Sequence, residues 1–250
     1  MDVSDLLEPL NDDQRAAVTA EPGQTLVLAG AGSGKTRVLV HRAAWLARVM
    51  AAPPHAMLAV TFTNKAAAEM RGRIEQLLGY SAAGMWTGTF HGLCHRLLRR
   101  HWSEAGLLQT FQILDADDQR RLVKRVMRTL EMDESRTPPR QVQGWLNARK
   151  DAGERPADLD AGGDPYTERL LRVYAAYQEA CDRGGQVDFA ELLLRSYELL
   201  RDNPGLRGHY REQLRHLLVD EFQDTNGIQY AWLQLLAGEA SDLFIVGDDD

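Results

Sequence analysis

The sequence predicts an α/β fold: a parallel sheet with helices on both faces, interrupted by an all-helical insertion domain. Three observations predict it. Four short apolar runs, at 25–29, 57–62, 217–219 and 243–246, have the length and composition of buried parallel strands. The first runs into a glycine-rich turn that opens a segment of helical spacing. The third ends in a pair of acids, and the roughly 180 residues between turn and acids are mostly helical in pattern, far more than a minimal sheet domain needs.

After the glycine-rich turn, Leu39, Trp45, Leu46 and Val49 recur at helical spacing over 36–50. The second apolar run ends at Thr63-Asn64, residues suited to cap a helix, and the helix formers of 65–78 follow. A further strand is predicted at 85–90, leading into a helix that begins near His91. From about Leu93 to Leu214 the pattern is helix after helix. Asp115 caps one reaching about Glu131, and Pro139 starts another that ends near Lys150. Residues 151–164 form a loop rich in Gly, Asp and Pro. A long helix over 165–183 is stopped by Gly184-Gly185, and Asp188 caps the next, over 189–201. Strand chemistry returns at Leu217. Trp45 and Trp232 fall in amphipathic patterns and are expected in the core.

At 250 residues, 44% hydrophobic and 26% charged, the chain has the composition of a globular protein with a real core. No apolar stretch approaches the roughly 18 residues of a membrane span. The start, Met1-Asp2-Val3-Ser4-Asp5, is acidic and has no apolar signal segment. Cys94 and Cys181 match no paired or metal-type spacing. These features predict a cytoplasmic protein without a membrane partner. His91, Cys94 and His95 fall close together on a helix, but a fourth ligand is missing and Arg96, Arg99 and Arg100 oppose a cation. The net charge of -7 argues against a non-specific nucleic-acid coat. Its distribution is uneven: Arg96, Arg99, Arg100, Arg120, Arg121, Lys124, Arg125 and Arg128 face only Glu104, Asp115, Asp117 and Asp118 over the same stretch. Such a surplus suits a phosphate backbone, and a solvated helix face equally well.

The glycine-rich turn, Ala29-Gly30-Ala31-Gly32-Ser33-Gly34-Lys35-Thr36, matches the P-loop pattern with Ala in place of Gly at its first position. Its glycines let the backbone curl so that successive N–H groups point at phosphate oxygens, and the following helix adds the positive end of its dipole. Lys35 reaches the β- and γ-phosphates, and the Thr36 hydroxyl binds Mg²⁺. A dinucleotide fingerprint would want a third glycine where Lys35 follows Gly34 directly. Downstream, Asp220 can hold Mg²⁺ and Glu221 can polarise the attacking water. Alone, that pair reads equally as the acid-rich start of a helix. Together the two motifs predict a chain that binds ATP or GTP.

The strings Ala29–Thr36 and Asp220-Glu221-Phe222-Gln223-Asp224 resemble superfamily 1A DNA helicases of the UvrD/Rep type. Further blocks occur in the family's order: Leu10-Asn11-Asp12-Asp13-Gln14, Thr61-Phe62-Thr63-Asn64-Lys65-Ala66-Ala67, Gly88-Thr89-Phe90-His91, Val187-Asp188-Phe189 and Val246-Gly247-Asp248-Asp249-Asp250. The resemblance implies a RecA-like domain 1A made of 1–90 and 215–250, and a helical insertion, 1B, over 91–214. It implies a 3′→5′ single-strand translocase that uses ATP and Mg²⁺, acts on single-stranded DNA and on single/double-strand junctions, and works with DNA-repair proteins. Gln14 and Arg37 would contact the adenine end of ATP, while Phe62, Asn64 and His91 would line the single-strand path. A base stacked on Phe62 is worth about 1–3 kcal/mol. From the residues alone, Phe62 reads also as a core residue ending a strand, and Asn64 as a plain helix cap.

By the same resemblance, 1–250 corresponds to the 1A/1B half, and the motif begun at Val246 stops before its glutamine. The γ-phosphate-facing arginines of the second motor domain and the adenine-stacking aromatic would come from further residues. The piece alone is expected to bind ATP and barely hydrolyse it. The alternative is a nucleotide-gated module that holds DNA or a protein without translocating.

Overall fold

The computed structural model describes residues 3–30, 32–239 and 241–248. Ala31, Asp249 and Asp250, which the motifs above include, lie outside the described residues. In chain order the elements begin with α1 (Ser4–Leu7), α2 (Asp12–Thr19), β1 (Gln24–Leu28), α3 (Lys35–Arg48), β2 (Met57–Thr61), α4 (Asn64–Leu78) and β3 (Trp86–Thr89). Next come α5 (Phe90–Arg100), β4 (Gln112–Ile113), α6 (Ala116–Thr129), α7 (Pro139–Asp151), α8 (Pro165–Gly184), β5 (Gln186–Val187) and α9 (Phe189–Asp202). The last are α10 (Pro204–Gln213), β6 (His216–Val219), α11 (Gly227–Leu236) and β7 (Asp242–Gly247). The chain divides into two compact units: unit 1 is Met1–Leu93, Leu200–Thr225 and Tyr230–Asp250, and unit 2 is Cys94–Leu199 with Asn226–Gln229.

Unit 1 holds a five-stranded sheet in the order β1-β7-β6-β2-β3, and every neighbouring pair is parallel. Strand β2, Met57-Leu58-Ala59-Val60-Thr61, is buried along its whole length, as expected of a parallel strand covered on both faces. The core joins Leu39, Val40, Ala43 and Leu46 of α3 and Met70 and Ile74 of α4 to Ala59, Leu218, Phe244 and Val246 of the sheet. Strand β1 departs from the expectation of a buried strand. It lies at the sheet edge, and Leu26 and Leu28 are 58% and 56% exposed, because residues of one face meet no covering element. At the opposite end of the strands, the carboxylate of Asp242 accepts from Gly23 N, from both guanidinium contacts of Arg42 and from His216, so one buried acid fastens β1, α3 and β6 to β7.

Sequence signals account for most of the helix ends. Thr63 caps α4 by accepting from Ala66 N at 3.0 Å, and Asp115 caps α6 through Asp117 N and Asp118 N. Gly185 closes α8 at φ 61°, where a Cβ would also press within 2.8 Å of Leu108. Helix α10 belongs to unit 1, where Tyr210 packs edge-on against Trp86, whereas the sequence reading drew the insertion on to residue 214.

Unit 2 packs α6, α7 and α8 around Leu122, Val123, Val126, Val142, Leu146, Val173, Tyr174 and Tyr177. The pattern predicts a purely helical unit, but β4 and β5 pair in parallel, Gln112 with Gln186 and Ile113 with Val187. Two-residue strands carry no period that a sequence could show. Within this unit Lys150, fully buried, donates to Asp188 at 2.7 Å and pairs with Glu191 at 2.9 Å, and Arg155 bridges Glu191 to Glu198.

Candidate functional site

The carboxyl ends of β1, β2, β6 and β7 meet at one edge of the unit 1 sheet, the place where parallel α/β sheets take ligands. The loop leaving β1 is fastened there by Ala29 N donating to Gly247 O at 3.1 Å. It turns through Gly32 at φ 76° and Gly34 at φ 90°, backbone conformations open to glycine at little cost. Gly34 is the cap residue of α3, so the first turn of that helix aims its free N–H groups into the loop. Gln14 closes the loop from outside: its Nε2 donates to Ser33 O at 2.8 Å, and a Cβ on Gly34 would lie 2.9 Å from it. The same side chain completes a capping box with Asn11, so Gln14 is positioned before any ligand arrives. Arg37 sits two residues into α3 and reaches Pro9 O at 3.5 Å.

Lys35 is buried to 8% exposure and donates to Ala29 O at 3.1 Å, to Gly30 O at 3.3 Å and to the Asp248 carboxylate. The hydrogen bond to Asp248 holds its ammonium above the ordinary lysine range. One residue on, the Thr36 hydroxyl donates to Asp220 Oδ2 at 3.3 Å. Asp220 is 2% exposed, and burial, then the neighbouring Glu221 charge, push its carboxyl up to about 6. Its second oxygen, Oδ1, is buried with no hydrogen-bond partner among the described residues. A buried carboxylate oxygen without a partner costs free energy, a cost that a divalent cation bound by Asp220 and Thr36 would remove.

Glu221 takes a left-handed backbone, φ 52° and ψ 47°, a conformation that costs an L residue about 1–2 kcal/mol. The turn throws its carboxylate out of the strand line. Gln223 then fixes it, Nε2 donating to Glu221 Oε2 at 2.6 Å, while Asp248 N donates to Gln223 Oε1 at 3.0 Å. A cleft of about 510 Å³ runs over this site, lined among others by Gln14, Lys35, Arg37, Arg73 and Glu221. A second, of about 700 Å³, continues from Thr36 and Asp220 to Phe62 and Thr63.

Nearly all the motif residues therefore gather in unit 1. Phe62 lines the second cleft, half-buried and edge-on to Phe90 at 5.6 Å. Asn64 does not cap α4, since Thr63 does, and its side chain is exposed at the first helical residue. His91 is half-buried in the first turn of α5, where burial holds its imidazole below the ordinary range. The residues that sequence reasoning did not single out are Arg73, Gln223 and Asp248. Gln223 and Asp248 lay in recognised strings, and their hydrogen bonds to the acids and to Lys35 are the missing signal. Nothing in the sequence marks which arginine of α4 faces the cleft.

The basic stretch of the sequence resolves into local ion pairs. Arg120 pairs with Asp117 and Arg121 with Asp118, both at 2.6 Å, and Lys124 and Arg128 share Glu134 at 3.1 and 2.7 Å. Arg99 lies over the Phe111 ring at 3.8 Å. Four basic residues of α6 are therefore paired, two with acids of the helix itself and two with Glu134 beyond its end, as a solvated face allows.

The chain is similar to known proteins over its whole length. A family model described as the UvrD/REP helicase N-terminal domain matches residues 10–250. DNA helicase II of Escherichia coli (strain K12) is 60% identical over 250 residues, and that of Haemophilus influenzae is 52% identical over 254. The ATP-dependent DNA helicase PcrA of Leuconostoc citreum is 41% identical over 252 residues. All of this chain is covered in each case, but only 34–35% of the relative, so the chain spans about a third of the length of the curated relatives it matches. Among the described residues no helix is long and apolar enough to cross a membrane.

Proposed function

The chain belongs to the UvrD/REP helicase N-terminal domain family, and from that premise we propose that it is the nucleotide-binding portion of an ATP-dependent 3′→5′ DNA helicase acting in DNA repair. Unit 1 is assigned as the RecA-like domain and unit 2 as its helical insertion. The observation that carries the reading is the unsatisfied Asp220 Oδ1 beside the Thr36 hydroxyl, on the same sheet edge as the glycine-rich loop and Lys35.

In this reading the loop from Ala29 to Thr36 takes the phosphates of ATP, with Lys35 supplying the fixed positive charge. Gln14 and Arg37 read the adenine end. Thr36 and Asp220 hold Mg²⁺, which when bound neutralises phosphate charge. Glu221, fixed by Gln223, polarises the attacking water. Lys35 is engaged with Asp248 in this structure, so binding a phosphate exchanges one anion for another at its ammonium. Single-stranded DNA, and its junctions with duplex, would run past Phe62, Asn64 and His91. What supports this is that Asp220, Glu221 and Phe62 line one cleft.

The test is Mg²⁺-dependent binding of a fluorescent ATP analogue to residues 1–250. The wild-type chain should bind, and Lys35→Ala should weaken binding by at least ten-fold, about 1.4 kcal/mol. Binding that ignores both Mg²⁺ and Lys35 overturns the assignment. Turnover by 1–250 alone should stay under about one per second, since a γ-phosphate-facing arginine is worth roughly 10³–10⁵ in kcat and the family draws it from elsewhere. A longer protein carrying these residues should hydrolyse ATP faster with single-stranded DNA. Absence of that stimulation, with ATPase intact, would leave the nucleotide-gated module as the better description.

A further inference from the structure

We propose that a cavity of about 230 Å³ in unit 2 is a phosphate-binding notch, walled by Arg136, Arg169 and Arg172. The three arginines come from two segments. The turn after α6 brings Arg136 with Leu130, Met132 and Asp133, and the second and third turns of α8 bring Arg169 and Arg172. Three residues apart on α8, Arg169 and Arg172 share a face, with Glu168 four residues before Arg172. Neither makes an ion pair among the described residues. Asp164, the acid that feels Arg169, is occupied with the Thr167 hydroxyl and with the N–H groups of Thr167 and Tyr166. This is the opposite of α6, where Arg120, Arg121, Lys124 and Arg128 each find a carboxylate.

Two acids also line the cavity and limit its charge. Asp133 is held by Ser135 through two hydrogen bonds and lies 3.5 Å from Arg136, whose side chain is 88% exposed and free to turn toward a ligand. Glu131 is the second. Three cations against two acids leave one positive charge, set over the apolar Leu130 and Met132. The volume suits a phosphoryl group with a few waters, at roughly 30 Å³ each. Guanidinium forks match phosphate oxygens two at a time. The chemistry is shared by free inorganic phosphate and by a nucleic-acid backbone.

The test separates this notch from the glycine-rich loop, which also attracts phosphate, by using a Lys35→Ala background. Titration of that protein with inorganic phosphate and pyrophosphate by calorimetry should show one remaining site. Replacing Arg169 and Arg172 together by Gln should weaken it at least five-fold, while Arg120→Gln/Arg121→Gln, which removes paired arginines, should not. Circular dichroism checks that each variant keeps its helices. A second arm measures the anisotropy of a labelled single-stranded oligonucleotide against salt. If the backbone is the natural occupant, the slope of log K on log[salt] falls by about 1–2 in the Arg169/Arg172 variant, at roughly 0.7 per phosphate. An unchanged slope with phosphate binding lost assigns the notch to a free anion. Phosphate binding that persists undiminished in the folded Arg169/Arg172 variant, or no binding in the Lys35→Ala protein at all, overturns the proposal.

Discussion

Two side chains at the end of β6 carry costs that a merely structural residue would not keep. Asp220 has its carboxyl raised from 3.8 to about 6, by burial first and the charge of Glu221 second, with the Thr36 hydroxyl pulling the other way. A raised folded-state value means that stability is intact below about pH 4 and is lost as the pH climbs through about 6. Asp220→Asn removes that loss. It should melt higher than wild type at pH 8, by about 1–2 kcal/mol, and match it at pH 4. Equal stability of the two proteins at pH 8 would show that the carboxylate is not penalised where it sits. Mg²⁺ affinity of the wild-type chain should strengthen from pH 5 to pH 7, as the same carboxyl ionises. Glu221 carries its cost in the backbone, at φ 52°. Glu221→Gly should raise thermal stability by about 1 kcal/mol, while Glu221→Gln, which keeps the strain, should leave it unchanged. The sequence singled out both acids because they end an apolar run, and the structure has them directly after β6, lining a cleft at the sheet edge. Neither the orphaned oxygen nor the left-handed turn was legible, since both depend on what surrounds the residues in three dimensions.

Elements were readable where one local signal decides them. Asp115 stands where α6 begins, and Gly185 stands where α8 ends, because caps and left-handed stops act within a few residues of chain. The reading failed where the decision is made at a distance. Strand β1 is apolar yet half exposed, and β4 with β5 form a strand pair of two residues each. Asp188 shows both regimes. Its cap of α9, through Glu191 N at 2.8 Å, was predicted from sequence, but its bond to Lys150, thirty-eight residues earlier, was not. That buried group decides how α7, α8 and α9 hold together, since Lys150, Asp188 and Glu191 are all at most 1% exposed. Lys150→Met strands two buried carboxylates and should destabilise unit 2 by about 3–5 kcal/mol. Burial works against the Glu191 carboxylate, yet Lys150, Arg155 and Arg195 hold it far below the ordinary glutamate range. A depressed value contributes stability above about pH 4.5 that fades as the pH falls. Acid titration followed by circular dichroism should therefore show the helices of unit 2 weakening below that pH. In Lys150→Met the acid-dependent part of the transition should be smaller.

Among the described residues one apolar cluster packs around the sheet and another among α6, α7 and α8. The large gap between the glycine-rich string and Asp220-Glu221 led the sequence reading to expect an insertion, because a chain that leaves a sheet for so many helical residues must bury them somewhere. Where the insertion ends was less readable: α10 has the same helical pattern as its predecessors and yet joins unit 1. The residues proposed to bind nucleotide and metal all lie in unit 1, so a ligand there would add its binding free energy to one core. Calorimetric unfolding should then show two transitions. Mg²⁺ and ATP at about a hundred times Kd should raise only the transition of unit 1, by about 2.7 kcal/mol. Lys35→Ala should abolish that shift, and Lys150→Met should lower the other transition without touching it. A single transition that moves as one with Mg²⁺ and ATP would mean instead that the two cores unfold together. In that case a nucleotide bound at Lys35 would also stabilise the buried ion group around Lys150, and acid resistance of the unit 2 helices would rise with ATP present.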